Sequence, residues 1–152
     1  MIFGTQLDGI ALVVGSGRGI GQQCAFSLAK AGVKAVVLAD RKGETAKALA
    51  EESKTYATHK EYQATTFKIN VVDEKSVEDM VEFAVKEFGK IDYCVNAAGP
   101  GLIRFASTDI ENYDLIMTIN AKGMLLGVRA ELQAMQKQPP KTFTSRNGTR
   151  VR

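Results

Sequence analysis

The chain has 152 residues, 45% of them hydrophobic and 24% charged, which is the make-up of one ordinary globular domain. No apolar run approaches the ~20 residues of a membrane span. Residues 1–6 lack the basic and apolar regions of a signal peptide, and the two cysteines, Cys24 and Cys94, are too few for a disulfide framework and lack metal-ligand spacing. These features argue against a membrane partner, a disulfide scaffold and a metal centre, and lead us to expect a protein of the reducing cytoplasm. The net charge of +3 is unevenly spread: no acid follows Glu131, while Lys137, Lys141, Arg146, Arg150 and Arg152 add positive charge. With a Pro-Pro pair and a single aromatic, Phe143, this basic tail is a poor stacking platform and reads as a solvated connection rather than a nucleic-acid arm.

In chain order, the first predicted element is a buried strand, Ile10-Ala11-Leu12-Val13-Val14, followed at once by Gly15-Ser16-Gly17-Arg18-Gly19-Ile20-Gly21. A helix then places Ile20, Cys24, Leu28 and Ala31 on one face and stops at Gly32. The second strand, residues 35–39, closes on Asp40, and residues 44–56, rich in Ala, Lys and Glu, form a helix with a weak apolar stripe. The third strand is 65–69. The next helix carries Val77, Met80, Val81, Ala84, Val85 and Phe88 in an i, i+3, i+4 stripe, with Asp73 as N-cap and Gly89 as stop. Residues 91–96 form a fourth strand, and one long helix runs from about Asp109 to Gln136, ahead of Pro139-Pro140.

Such strict alternation of strand and helix needs crossover connections. The expected fold is therefore α/β, a doubly wound parallel sheet of Rossmann type with strand order 3-2-1-4, ending after the fourth strand and its helix. Residues 1–138 are expected to form the dinucleotide-binding domain, and 139–152 a basic tail leading toward a fifth strand absent from the sequence.

Chemistry concentrates at the ends of the strands. Gly15, Gly19 and Gly21 lie between a strand and a helix, where tight turning lets phosphates approach the main chain and the helix start offers unpaired N–H groups. A tight strand-to-helix turn alone would explain the three glycines, and their spacing is G-x-x-x-G-x-G rather than G-x-G-x-x-G. Asp40 decides between these readings. It closes the second strand 19 residues after Gly21, where a carboxylate accepts from ribose hydroxyls and repels a 2′-phosphate. NAD is thus expected over NADP, although Arg18 and Arg41 could answer a phosphate.

The run Val14-Gly15-Ser16-Gly17-Arg18-Gly19-Ile20-Gly21 resembles the T-G-x-x-x-G-I-G loop of the short-chain dehydrogenase/reductase family, with Val14 for Thr. Asn96-Ala97-Ala98-Gly99 is similar to its N-N-A-G motif, Asn70-Val71 to its D-V pair, and Asn120 to its helical Asn; the signals fall in family order from residue 8 to 136. The resemblance implies a nicotinamide dinucleotide as ligand. Ser16, Arg18 and Ile20 would belong to the phosphate loop, Asn70 and Val71 would lie beside the adenine, and the backbone at Asn96, Ala97, Ala98 and Gly99 would line the centre of the cofactor. Asn120 would help hold a water of the proton relay.

The family's Ser and Tyr-x-x-x-Lys have no counterpart in family position. Tyr56-Ala57-Thr58-His59-Lys60 matches the spacing but falls between the second and third strands, on the adenosine side, and His59 reads as a solvated residue. The expectation is an oxidoreductase sequence cut short, with an alcohol or ketone substrate only in a complete version. The alternatives are a small non-catalytic nucleotide-binding protein or partner of a full-length relative, and an interaction module built on the last helix. An open fourth-strand edge and an exposed helix face around Ile116, Leu125 and Val128 lead us to expect association, as a homo-oligomer or through that surface.

Overall fold

Residues 7–100, 110–140, 143–144 and 150–151 are described by the computed structural model. The two β-branched runs at the centre of the sequence become the two central strands, because only they are apolar on both faces: β1 (Ile10–Val14) and β2 (Ala35–Asp40) are buried almost throughout. β3 (Gln63–Lys68) and β4 (Tyr93–Asn96) are half-buried and flank them, giving a parallel sheet of order β3-β2-β1-β4, as expected. β3 starts two residues earlier and β4 two residues later than expected.

At the base of β4, the side chain of Gln138 takes the place of a neighbouring strand. Its Oε1 accepts from the Ile91 N–H at 2.6 Å, and its Nε2 donates to the Ile91 carbonyl at 2.8 Å. β4 pairs with β1 alone among the described strands, so it forms a sheet edge.

The pleat sorts the core into two layers. Leu12 and Val14 of β1, with Val37 and Ala39 of β2, pack with Val77, Met80 and Val81 of α3 (Glu74–Phe88) and with Ile91. Ala11, Val13, Val36 and Leu38 pack on the other face with Ala25 and Phe26 of α1 (Gly19–Ala31) and Leu49 and Ala50 of α2 (Gly43–Lys54). Gly32 and Gly89 close α1 and α3 as expected. The buried face of α1 is Gly21, Ala25, Phe26 and Ala29, not the expected Ile20, Cys24, Leu28 and Ala31, and Ile20 is 77% exposed. The reason is local: the start of the helix is rotated so that Gly21 presses against the preceding loop.

α3 begins where expected, its first turn capped by Asp73, whose side chain accepts from the Lys75 N–H at 3.1 Å. Asp73→Ala should cost about 1 kcal/mol, seen as a lower urea midpoint with an unchanged slope.

The last helix runs without a break from Ile110 to Met135, close to the expected bounds, but its middle turns are π-helical: α4 (Ile110–Met117), a π-helical segment (Thr118–Gly123) and α5 (Met124–Met135) follow one another. Each π turn takes in an extra residue, which re-aims the following face. In α5 the buried positions are Gly127 and Glu131, in line with Gly123, whereas Met124, Leu125, Val128 and Leu132 are exposed. Leu125 and Val128 are thus exposed as expected, while Ile116 is half-buried. Beyond α5, Phe143–Thr144 (β5) and Arg150–Val151 (β6) pair antiparallel as a ladder separate from the main sheet. The rest of the expected lead-in to a fifth strand lies outside the described residues.

Candidate functional site

The strand-end residues gather at the carboxyl end of the sheet, where Gly15 meets Ala98 and Gly21, and Gly99 meets Asn120; Arg18, Gly19, Ile20, Arg41 and Asn70 remain exposed. The chain leaves β1 at Gly15, whose N–H, together with that of Ser16, donates to the Ala39 carbonyl at 2.8 and 3.2 Å. Ser16 is fully buried and its Oγ donates to the same oxygen at 3.4 Å. Gly15 has φ 78°, and a Cβ there would stand 2.4 Å from the Ala98 nitrogen. Left-handed backbone and contact with the neighbouring loop together admit only glycine.

Gly21 closes the loop from the other side, since a Cβ on it would lie 2.1 Å from the Gly15 oxygen. Gly19 differs: it has φ 58°, and a Cβ built on it meets nothing within 4 Å. Arg18 stands at the N-cap of α1 and makes no side-chain cap hydrogen bond; Arg18, Gly19 and Ile20 are all exposed. The positive end of α1 therefore opens onto an uncovered surface.

Asp40 reaches from the end of β2 across this loop. Its Oδ2 accepts from the Gly17 N–H at 2.8 Å and its Oδ1 from the Lys42 N–H at 2.9 Å. A Cβ on Gly17 would fall 2.7 Å from the Asp40 Cγ, so Gly17, missed in the sequence, makes room for the carboxylate. Arg41 is exposed beside it.

The fourth-strand motif joins the same surface: Ala97 donates its N–H to the Val14 carbonyl at 2.8 Å. Gly99 lies under Asn120, whose Oδ1 is 3.0 Å from where a Cβ on Gly99 would be. Asn120 sits in the π-helical segment, which ends at Gly123 against Val71. Val14, Val71, Asn96, Ala98, Ile119, Gly123 and Met124 line a shallow recess there. Asn70, exposed, donates its N–H to the Ser76 Oγ at 3.0 Å and accepts from the Val72 N–H at 3.4 Å, fixing the turn after β3.

Glu131 was not anticipated at all. It is 3% exposed, and its Oε2 accepts from the Asn96 Nδ2 at 2.8 Å. Burial pushes its carboxyl above the ordinary value, opposed by hydrogen bonds from Asn96 and the Cys94 thiol. The Cys94 thiol is pushed up to about 12 by burial and by the Glu131 carboxylate, so at neutral pH it is an inert SH group. The signal that could have exposed Glu131 is the i, i+4 series Gly123, Gly127, Glu131, which shares one helix face.

The Tyr56-to-Lys60 pattern stands apart, as expected. Tyr56 follows α2 and stacks on Phe26 of α1, with ring centroids 4.7 Å apart, and the His59 Nδ1 accepts from the Glu61 N–H at 3.1 Å. Those contacts hold the connection from α2 to β3, where the Thr58 N–H also donates to the Ala29 carbonyl at 3.3 Å.

A family model described as short chain dehydrogenase matches residues 9–141. The short-chain dehydrogenase anuF of Penicillium roqueforti is 35% identical over 148 residues, covering 95% of this chain and 54% of that protein. Among solved structures, a 3-oxoacyl-[acyl-carrier protein] reductase of Brucella melitensis superimposes with a TM-score of 0.77 at 29% identity, over 92% of this chain and 55% of that one. A 7α-hydroxysteroid dehydrogenase complexed with NADH shares the fold, with a TM-score of 0.74 at 24% identity over 85% of this chain and 49% of that one. The chain spans about half the length of the curated relatives it matches. With the glycine loop, the strand order and the motif after β4 all in place, the chain belongs to the short-chain dehydrogenase family.

Proposed function

We propose that these residues form the nucleotide half of an NAD(P)-dependent oxidoreductase, with NAD preferred over NADP. The observation that carries this reading is Asp40. Two backbone N–H groups aim its carboxylate across the glycine loop, and each oxygen keeps a further acceptor position for a ribose hydroxyl. The same negative charge disfavours a 2′-phosphate. The bare position at Gly19 and the uncapped start of α1 suit a pyrophosphate. Asn70 and Val71 would flank the adenine, residues 96–99 would line the centre of the dinucleotide, and Asn120 would hold a water of the proton relay. When bound, the nicotinamide supplies the hydride chemistry of an alcohol–ketone interconversion.

Two unpaired cysteines support a reducing, cytoplasmic setting. The edge of β4 and the exposed Leu125, Val128 and Leu132 support association through that face. Light scattering on the purified chain should then give a mass above the monomer, and a monodisperse monomer would refute this part. The cofactor reading is tested by calorimetric titration with NAD and NADP. The wild type should bind NAD more tightly. Asp40→Ala should narrow the gap about tenfold, or ~1.4 kcal/mol, because Arg18 and Arg41 are then left to meet a phosphate unopposed. Tighter binding of NADP by the wild type would sink the reading.

A further inference from the structure

We infer that Glu131 is a positioning residue of the nucleotide site, holding residues 96–99 in place by gripping the Asn96 side chain between its own carboxyl group and Gly127. This rests on the proposed dinucleotide reading. The geometry is that of a clamp. The Asn96 Nδ2 donates to the Glu131 Oε2 at 2.8 Å, while the Asn96 Oδ1 lies 2.7 Å from where a Cβ on Gly127 would be. Gly127 and Glu131 are one helical turn apart, so α5 grips both ends of the amide. Asn96 is the last residue of β4, and the segment it leads into touches Gly15 through Ala98 and Asn120 through Gly99. A shift of this side chain therefore moves the backbone that faces the glycine loop.

An acid is an unusual choice for a clamp. Glu131 is buried, and its Oε1 has no hydrogen-bond partner among the described residues. A buried, half-satisfied carboxylate is costly, and an apolar side chain of similar size would pack better. What the acid provides is an acceptor for Asn96 that responds to pH. Of the ionisable groups facing it, β4 offers Cys94 alone. From α3, packed against α5, Glu74 and Glu78 line an outer groove with Arg129, which pairs with Glu74 at 2.9 Å. Among the described residues no cation approaches the buried carboxyl group. Burial raises its pKa above the ordinary 4.5, so the folded chain holds the proton more tightly than the unfolded chain. Its contribution to stability is complete below that ordinary value and is lost as pH rises through the raised one. Above it, a naked carboxylate must draw water or loosen α5 from β4.

The test uses the whole chain, with ADP-ribose reaching residues 96–99 and adenosine confined to the adenosine side. Calorimetry from pH 4.5 to 8.5 should show ADP-ribose affinity falling as pH rises above the ordinary carboxyl value, while adenosine affinity, with no phosphate to titrate, stays flat. Glu131→Gln keeps the acceptor without the titration, and should retain the low-pH affinity with the slope gone. Glu131→Met removes the acceptor and should weaken ADP-ribose five- to tenfold, leaving adenosine unchanged. A purely structural role predicts that both ligands are weakened together or that neither is; that result, or a pH slope surviving in Glu131→Gln, overturns the inference. If the wild type binds neither ligand, the dinucleotide reading fails separately. Amide-exchange protection at residues 97–99 then decides. Protection that falls with pH in the wild type and not in Glu131→Gln upholds the clamp, and protection indifferent to both variants overturns it.

Discussion

Gly21→Ala should abolish measurable dinucleotide binding and destabilise the chain by about 1–3 kcal/mol. Helix propensity alone predicts the reverse, because alanine inside a helix is favoured over glycine by roughly 0.5–1 kcal/mol. Sterics decide the sign. The added Cβ would lie 2.1 Å from the Gly15 oxygen, and the obstacle is backbone rather than a side chain that can rotate away. Gly15 cannot retreat, since its N–H is bonded to Ala39 and its Cα abuts residues 97–98. The start of α1 must swing outward, taking with it the N–H groups that would face a pyrophosphate. Gly19→Ala differs: its Cβ meets nothing in the chain, so stability loses only the left-handed backbone penalty, roughly 1–2 kcal/mol, while binding falls because the methyl occupies the bare position proposed for the pyrophosphate. Calorimetry on both variants, with circular dichroism melts, separates the two costs. Undiminished binding in Gly21→Ala would show that the loop does not hold the nucleotide.

Leu12→Ala should cost about 2–5 kcal/mol. Leu12 is fully buried at the centre of β1, opposite Val37 on one side and Cys94 on the other. It sits in the layer built with Met80 and Ile91, where a parallel strand with neighbours on both sides cannot collapse into the void. Against a total stability of about 5–15 kcal/mol, such a loss leaves a sizeable fraction unfolded. Urea denaturation gives the value directly. A cost under ~1 kcal/mol would mean that the sheet is less tightly packed than described.

The order of elements was legible because it depends on local pattern, and the strand order because alternating strands and helices must be joined by crossovers. β1 and β2 are continuous apolar runs, and α3 carries a cap, a stripe and a stop in the expected places. That the glycine loop and Asp40 would meet was legible because both follow adjacent parallel strands at the same end of the sheet. What escaped was decided in three dimensions. The rotation of α1 follows from one contact at Gly21, which no hydrophobic count contains. The exposure of Leu125 and Val128 was expected, but the π-helical segment and the burial of Gly127 and Glu131 were not, since no apolar pattern marks a face that is small and acidic. Gly17 and Glu131 matter only because Asp40 and Asn96 reach across to them from other strands.

A dinucleotide held at the carboxyl end of this sheet should be visible in an NMR titration of the isotope-labelled chain with ADP-ribose, read at the backbone amides. Saturable shifts are expected at residues 15–21, at Asp40 and Arg41, and at residues 96–99, with the amides of residues 56–60 unmoved. Shifts centred elsewhere, or none at millimolar ligand with the chain folded, would contradict it.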